Sequence, residues 1–303
     1  MSKYDVDKGY GFFRYFKTPV SRFILPFSNI FLTLLPKKNK SDSQTEVKKI
    51  KIDKRTKALL YSPKGVQGEL PCLIYLHGGG FVMQSAPHHY ALAREYAIRL
   101  NCRVLLVNYP LAPKHPFPQP FDGCVNSLKY ILDNCKQLNI DCSSIAVGGD
   151  SAGGCLSASL AIWARDNGIN LRCQMLAYPT TDRRMLTDSV KKYKDTPMWG
   201  SSMTPKIWKM YDKGLHGLPP EYISPMEAEN LEGVCAAYIE TAEFDSLHDE
   251  AILYGEKLES FGVTVAYNNT CHTMHGFDIK QKHPITRHAV EKRIDFLNTY
   301  LKK

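Results

Sequence analysis

The chain has 303 residues, 44% apolar and 23% charged, and its 39 basic and 30 acidic side chains leave a formal charge of +9. That length and balance exclude wholesale disorder and allow one large domain with a sizeable core. The positive charge lies in scattered lysines such as Lys37, Lys38, Lys48 and Lys49, without interleaved aromatics, so no nucleic acid partner is expected. Nine cysteines include no CxxC pair for zinc or redox work; several, including Cys72, Cys102 and Cys173, read as small core residues, and a reducing, cytoplasmic setting is the simplest reading.

The first feature along the chain is the apolar stretch 23–36, FILPFSNIFLTLLP, preceded by Lys17 and Arg22. It is shorter than the about 20 residues that a bilayer span needs, Pro26 interrupts it, and no small-residue cleavage site follows. Its Phe, Ile and Leu side chains would each forgo roughly 1.5–3 kcal/mol if left in water. The stretch is therefore expected to bury, packing on the region 199–211 as the roof of a pocket. Peripheral attachment to a membrane surface is the alternative.

A polar linker, 41–46, leads to two short strands, 47–53 and 57–62. From residue 70 the pattern alternates: strand 70–76, helix 90–100, strand 104–107, helix 121–138, strand 145–148, helix 152–166 and strand 171–178. It resumes with strand 235–240, helix 251–261, strand 263–267 and helix 287–301. Short apolar strands separated by helices imply a mostly parallel sheet covered on both faces. The gap 183–233 is too long for an ordinary loop and carries Met198, Trp199, Met203, Trp208, Met210 and Tyr211. It reads as an inserted cap, with residues 1–45 as an N-terminal cap segment and 46–182 plus 234–303 as the core.

Chemistry concentrates at a few points on this frame. Gly149-Asp150-Ser151-Ala152-Gly153 fits G-x-S-x-G between a strand and a helix, where a tight turn thrusts the serine outward. Ser151 is the candidate nucleophile. His77-Gly78-Gly79-Gly80-Phe81 follows strand 70–76, and consecutive glycines let amide hydrogens approach a carbonyl oxygen that is gaining charge. Gly78, Gly79 and Gly80, with the Ala152 amide, form the candidate oxyanion hole, and His77 is expected to hold the loop's shape. A serine needs a base, and the base needs orientation. Asp245 and His275 each lie past the carboxyl end of a strand, where open α/β sheets place their sites. Asp249 and Glu250 compete as the acid but fall in the next helix pattern; His272 competes as the base, and His248 less so. His88, His89, His115, His216, His283 and His288 read as surface or loop residues.

HGGGF, NYPLAPKHPFPQP, GDSAGG, EFDSLHDE and HGF, in that order, resemble the hormone-sensitive lipase family of serine esterases over residues 70 to 303. The resemblance implies an α/β-hydrolase fold, with a mostly parallel central sheet, helices on both faces and a helical cap. It further implies a Ser151–His275–Asp245 triad and hydrolysis of small-molecule short- to medium-chain acyl esters through an acyl-enzyme, with no cofactor and no metal. An interfacial lipase or amide deacetylase on the same fold is the alternative; a non-catalytic ligand-binding relative is disfavoured because all three triad residues are present. One departure is Asn108-Tyr109-Pro110 with Lys114, where the family usually has Asp-Tyr-Arg and Glu, so the pairing of this loop is expected to differ. No feature of the sequence sets an oligomeric state.

Overall fold

A strand covered on both faces needs apolar side chains at every position, and the continuous apolar runs of the sequence become the middle of one eight-stranded sheet. The computed structural model describes residues 3–302. Its strands are β1 (Thr45–Lys51), β2 (Lys57–Pro63), β3 (Leu70–Leu76), β4 (Arg103–Asn108), β5 (Ile140–Asp150), β6 (Cys173–Ala177), β7 (Ala236–Phe244) and β8 (Val265–Met274), in spatial order β1-β2-β4-β3-β5-β6-β7-β8. The pairs β1–β2 and β2–β4 are antiparallel and the others parallel. The helices are α1 (Leu25–Leu34), α2 (Pro87–Leu100), α3 (Gln119–Leu138), α4 (Ala152–Asp166), α5 (Asp188–Lys192), α6 (Thr204–Tyr211), α7 (His248–Ser260) and α8 (Pro284–Leu301).

Side chains of β3 divide between the two faces with the period of two that a strand imposes. Cys72, Ile74 and Leu76 join Leu128, Ile131, Leu156 and Leu160 of α3 and α4 on one face. Leu73 and Tyr75 join Leu92, Tyr96 and Leu297 of α2 and α8 on the other. Both α2 and α3 open on a proline in their first turn and end at a left-handed asparagine, Asn101 or Asn139, each at φ 51°. The α4 helix spans the residues its pattern predicts. Both β5 and β8 run longer than their apolar runs suggest, because residues 141–144 and 268–273 are mostly polar and give no periodic signal.

Cys135 and Cys142 form a disulfide that ties the end of α3 to the start of β5, a pairing that the spacing of the cysteines did not announce. The N-terminal stretch does not bury as expected: Phe23, Phe27 and Leu34 are 85%, 73% and 77% exposed, and within α1 only Leu25 is fully covered. A ten-residue helix carrying apolar groups all round can turn only one side inward. That side holds Leu25, Asn29 and Leu32, spaced by about one turn. Asn29 fastens it: its amide donates to the Val82 carbonyl (3.0 Å) and its Oδ1 accepts from the Gln84 amide (2.9 Å). The tie to the 183–233 insertion lies upstream of α1, where Met198 N–H donates to Phe16 O (2.6 Å) and Thr18 N–H to Met198 O (3.1 Å). Among the described residues, no helix is long and apolar enough to cross a membrane.

Candidate active site

Strand register assembles the site. Phe244 of β7 pairs with Met274 of β8, so Asp245 and His275 leave the sheet side by side. Asp150, the last residue of β5, pairs with Ala177, which sets Ser151 at the same edge. Ser151 then takes φ 54°, ψ −120°, a conformation that costs energy for a side chain with a Cβ and that directs Oγ out of the turn. A Cβ on Gly153 would overlap the Leu76 carbonyl, so this elbow tolerates only glycine there. The three side chains meet: Ser151 Oγ–H donates to His275 Nε2 at 2.9 Å, and His275 Nδ1–H donates to Asp245 Oδ2 at 2.6 Å. The tautomer follows from the carboxylate, which can only accept. Asp245 is fully buried, and its second oxygen accepts from the Leu247 amide at 3.0 Å.

The competitors lie elsewhere. Asp249 and Glu250 occupy the first turn of α7, with Glu250 turned toward Thr180 and Thr181. Burial pushes the Glu250 carboxyl up to about 8. His272 sits where the β7–β8 register slips; it is exposed, with φ 55°, and its Nδ1–H donates to the Asp5 carbonyl at 3.0 Å.

The glycine loop is held by Asp150, a residue the sequence reading treated only as the variable position of G-x-S-x-G. Its Oδ1 accepts from Tyr75 Oη (3.2 Å); its Oδ2 accepts from Gly78 N–H and from His89 Nε2–H, both at 3.1 Å. Burial works to raise this carboxyl, but His89, with His88 and His77 close by, holds it below the ordinary carboxylate range. Gly78's amide is therefore engaged by Asp150 Oδ2. The amides of Gly79 and Gly80 make no hydrogen bond among the described residues, and Ala152 opens α4 without an intrahelical acceptor. Gly79 stands at φ 113°, a region closed to other residues in practice.

Histidines hold this loop from both sides. His77 is buried, its Nδ1–H donates to Gly78 O (2.7 Å), and its ring stacks on Tyr109 at 4.4 Å. Burial, reinforced by repulsion from His89, pushes it down to about 3, so it is neutral. His89 is buried within α2, which corrects its reading as a surface or loop residue; His283 lies in the loop before α8, as read, but buried, where it stacks on Tyr10 and donates from Nε2 to Asp7 at 3.1 Å. The one available sign for His89 was its place in the first turn of a helix directly after the glycine loop. Donor atoms of His88, His89 and Asp150 lie within 4.8 Å of one another, the spacing of a metal site. Both Asp150 oxygens already serve protein donors, Tyr75, Gly78 and His89, whereas His88 Nδ1 is buried without a hydrogen-bond partner. The departure at Asn108 is absorbed locally: Ser85 Oγ donates to its Oδ1 at 3.1 Å, while Lys114 is exposed.

Above Ser151 lies a cavity of about 960 Å³. Its lining combines Gly78, Gly79, Gly80, Ser151 and His275 with Met198 and Trp199 from the insertion and Phe16, Phe31 and Leu35 from the N-terminal stretch. Trp208 and Tyr211 pack instead against Phe81, with Tyr211 stacked at 3.8 Å. Of the large groups in the insertion, Met198 and Trp199 thus face the cavity, whereas Trp208 and Tyr211 belong to the packing of the fold.

A family model described as the alpha/beta hydrolase fold matches residues 73–279. Carboxylesterase NlhH of Mycobacterium tuberculosis (strain ATCC 25618 / H37Rv) is 36% identical over 223 residues, covering 72% of this chain and 70% of its own. Esterase LipI of the same strain is 36% identical over 214 residues, 70% of this chain and 67% of its own. Among solved structures, a bacterial heroin esterase superposes with a TM-score of 0.82 at 29% identity, over 92% of this chain and 90% of that one.

Proposed function

The chain belongs to the alpha/beta hydrolase family, in its hormone-sensitive lipase group, and is a carboxylic ester hydrolase; from that premise we propose that Ser151, His275 and Asp245 carry the reaction. The observation that carries this reading is the unbroken relay Ser151 Oγ to His275 Nε2 (2.9 Å) and His275 Nδ1 to Asp245 (2.6 Å) at the floor of an apolar cavity. Ser151 Oγ attacks the ester carbonyl as His275 Nε2 takes its proton. The charge that builds on the carbonyl oxygen is met by the amides of Gly79, Gly80 and Ala152, held in place by the Gly78–Asp150 hydrogen bond. His275 then returns its proton to the departing alkoxide, leaving an acyl-Ser151 ester and a free alcohol. Water repeats the cycle: it attacks the acyl carbon, His275 takes its proton, and Ser151 leaves with it as the carboxylic acid departs. Asp245 keeps Nδ1 protonated and faces the imidazolium in both halves.

The substrate range we propose is short- to medium-chain acyl esters. Residues 1–45 and 183–233 act as the cap, and Phe16, Phe31, Leu35, Met198 and Trp199 supply an apolar wall for the acyl chain. A fluorophosphonate probe should label Ser151 in the wild-type protein and leave Ser151→Ala unlabelled, with kcat lowered on the order of 10⁶-fold. Labelling at another serine would overturn the nucleophile assignment. A series of p-nitrophenyl esters should peak at butyrate to octanoate; a monotonic fall from acetate would overturn the acyl range.

A further inference from the structure

Exposed apolar groups are unevenly distributed over this molecule. Eight of the eleven large apolar side chains that stand exposed among the described residues fall between residues 12 and 34. On α1 they form one face: Phe27, Ile30, Phe31 and Leu34 are spaced by three, one and three residues, opposite the side that Leu25 and Asn29 turn inward. Scattered exposed hydrophobics are ordinary, but a contiguous set on one helix marks a surface that meets something.

Charge identifies the partner. Residues 8–40 contain seven Lys or Arg and no Asp or Glu, so most of the formal charge of +9 sits in this one stretch. Among the described residues none of these seven side chains takes part in an ion pair. An apolar helix face rimmed by cations that take part in no ion pair is complementary to a lipid surface bearing negative headgroups. A second copy of the chain fits poorly, because a two-fold contact through this patch would bring the same positive charges face to face.

We propose that α1 and its flanks dock the protein onto an anionic lipid surface, with Phe23, Phe27 and Leu34 entering the acyl boundary and Lys17, Arg22 and Lys40 meeting headgroups. Ser28 and Leu32 of α1, Leu35 just past its end and Phe31 from the exposed face all line the cavity, so docking sets that wall against the bilayer. Acyl esters dissolved in the membrane then have a short apolar route to Ser151. Docking stands independently of hydrolysis, whereas delivery of lipid-borne esters rests on the ester-hydrolase reading above.

The test is flotation of the full chain with phosphatidylcholine vesicles, with and without phosphatidylserine, beside the Ser151→Ala protein. Both proteins should float with phosphatidylserine vesicles and be released as salt is raised, since screening shortens the reach of the headgroup charge. The triple variant Phe23→Ser/Phe27→Ser/Leu34→Ser should lose more than about a thousandfold in vesicle affinity. Lys17→Gln/Arg22→Gln/Lys40→Gln should lose about fivefold per charge, on the order of a hundredfold in all. Neither set lines the cavity, so thermal midpoint and p-nitrophenyl acetate turnover should match wild type in both. Absence of wild-type flotation at low salt would overturn the proposal, as would undiminished flotation of the apolar triple variant. A wild-type dimer that the apolar triple converts to monomer, with no vesicle binding in either, would assign the patch to a second copy instead. Flotation of an otherwise inactive wild type would leave docking standing and remove the catalytic reading.

Discussion

Two regions of this protein break the usual sorting of residues in opposite directions. At the carboxyl edge of the sheet, Asp150, Asp245 and His275 are buried polar groups; on α1, Phe23, Phe27 and Leu34 are exposed apolar ones. Buried polar groups persist only with partners, and here each has them: Asp245 holds His275 and the Leu247 amide, and Asp150 holds Tyr75, Gly78 and His89. The exposed face of α1 has no such internal account, since burying it would have required a second layer of structure outside the helix. The first region is explained by contacts within the chain, the second only by a contact beyond it.

The comparison can be broken first at the relay. Asp245→Asn keeps the shape of the carboxylate but favours the wrong imidazole tautomer, so kcat for a soluble ester should fall on the order of 10⁴-fold. The thermal midpoint should stay close to wild type; a variant with near-normal turnover would show that the buried acid plays no part in the chemistry.

Next comes Asp150→Asn, which leaves the site's side chains in place and removes the charge that anchors the glycine loop. Denaturant unfolding should show a loss of about 3 kcal/mol, the usual cost of breaking a buried charged network. The pH dependence has a definite sign. A carboxyl held below its ordinary value contributes stability that is present above about pH 3.9 and is lost as pH falls toward the depressed value. The groups facing it are His89, His88, His77 and Tyr75. The stability gap between wild type and Asp150→Asn should accordingly be full at neutral pH and narrow on acidification; a gap that widens in acid would mean that the histidines, not the carboxylate, dominate.

The smallest effects separate the two sides of α1. Leu25→Ala, on the inward side, should cost about 2 kcal/mol. Phe27→Ser, on the outward side, should shift stability by no more than about 0.5 kcal/mol in lipid-free buffer. Equal costs at the two positions would mean that the outward face is packed in solution after all.

Much of this molecule was legible residue by residue. The α4 helix spans its predicted residues, and the β3 and β4 runs lie within a residue of theirs, because their apolar periodicity is strong and their ends carry glycine, proline or asparagine. Ser151, Asp245 and His275 were nameable because each follows a strand, and the structure brings them within hydrogen-bond reach. Glycines at 78–80 were legible as a loop of close approach, yet not which amides stay free: that depends on Asp150, 70 and more residues away, claiming Gly78. His89 was misplaced for the same reason, since its partner lies 61 residues on.

Sequence alone determined the order and type of the elements, the strand ends that carry chemistry, and the net charge and its sign. These depend on local pattern: side-chain period, turn residues and what each group can ionise to. Only the tertiary structure decided which polar groups satisfy one another, which histidines are buried, that Cys135 meets Cys142, and which side of α1 faces water. Burial and hydrogen bonding are relations between distant parts of the chain. Hydrophobicity states that Phe27 would gain from a cover; whether any element is near enough to supply one is settled by how the whole chain folds.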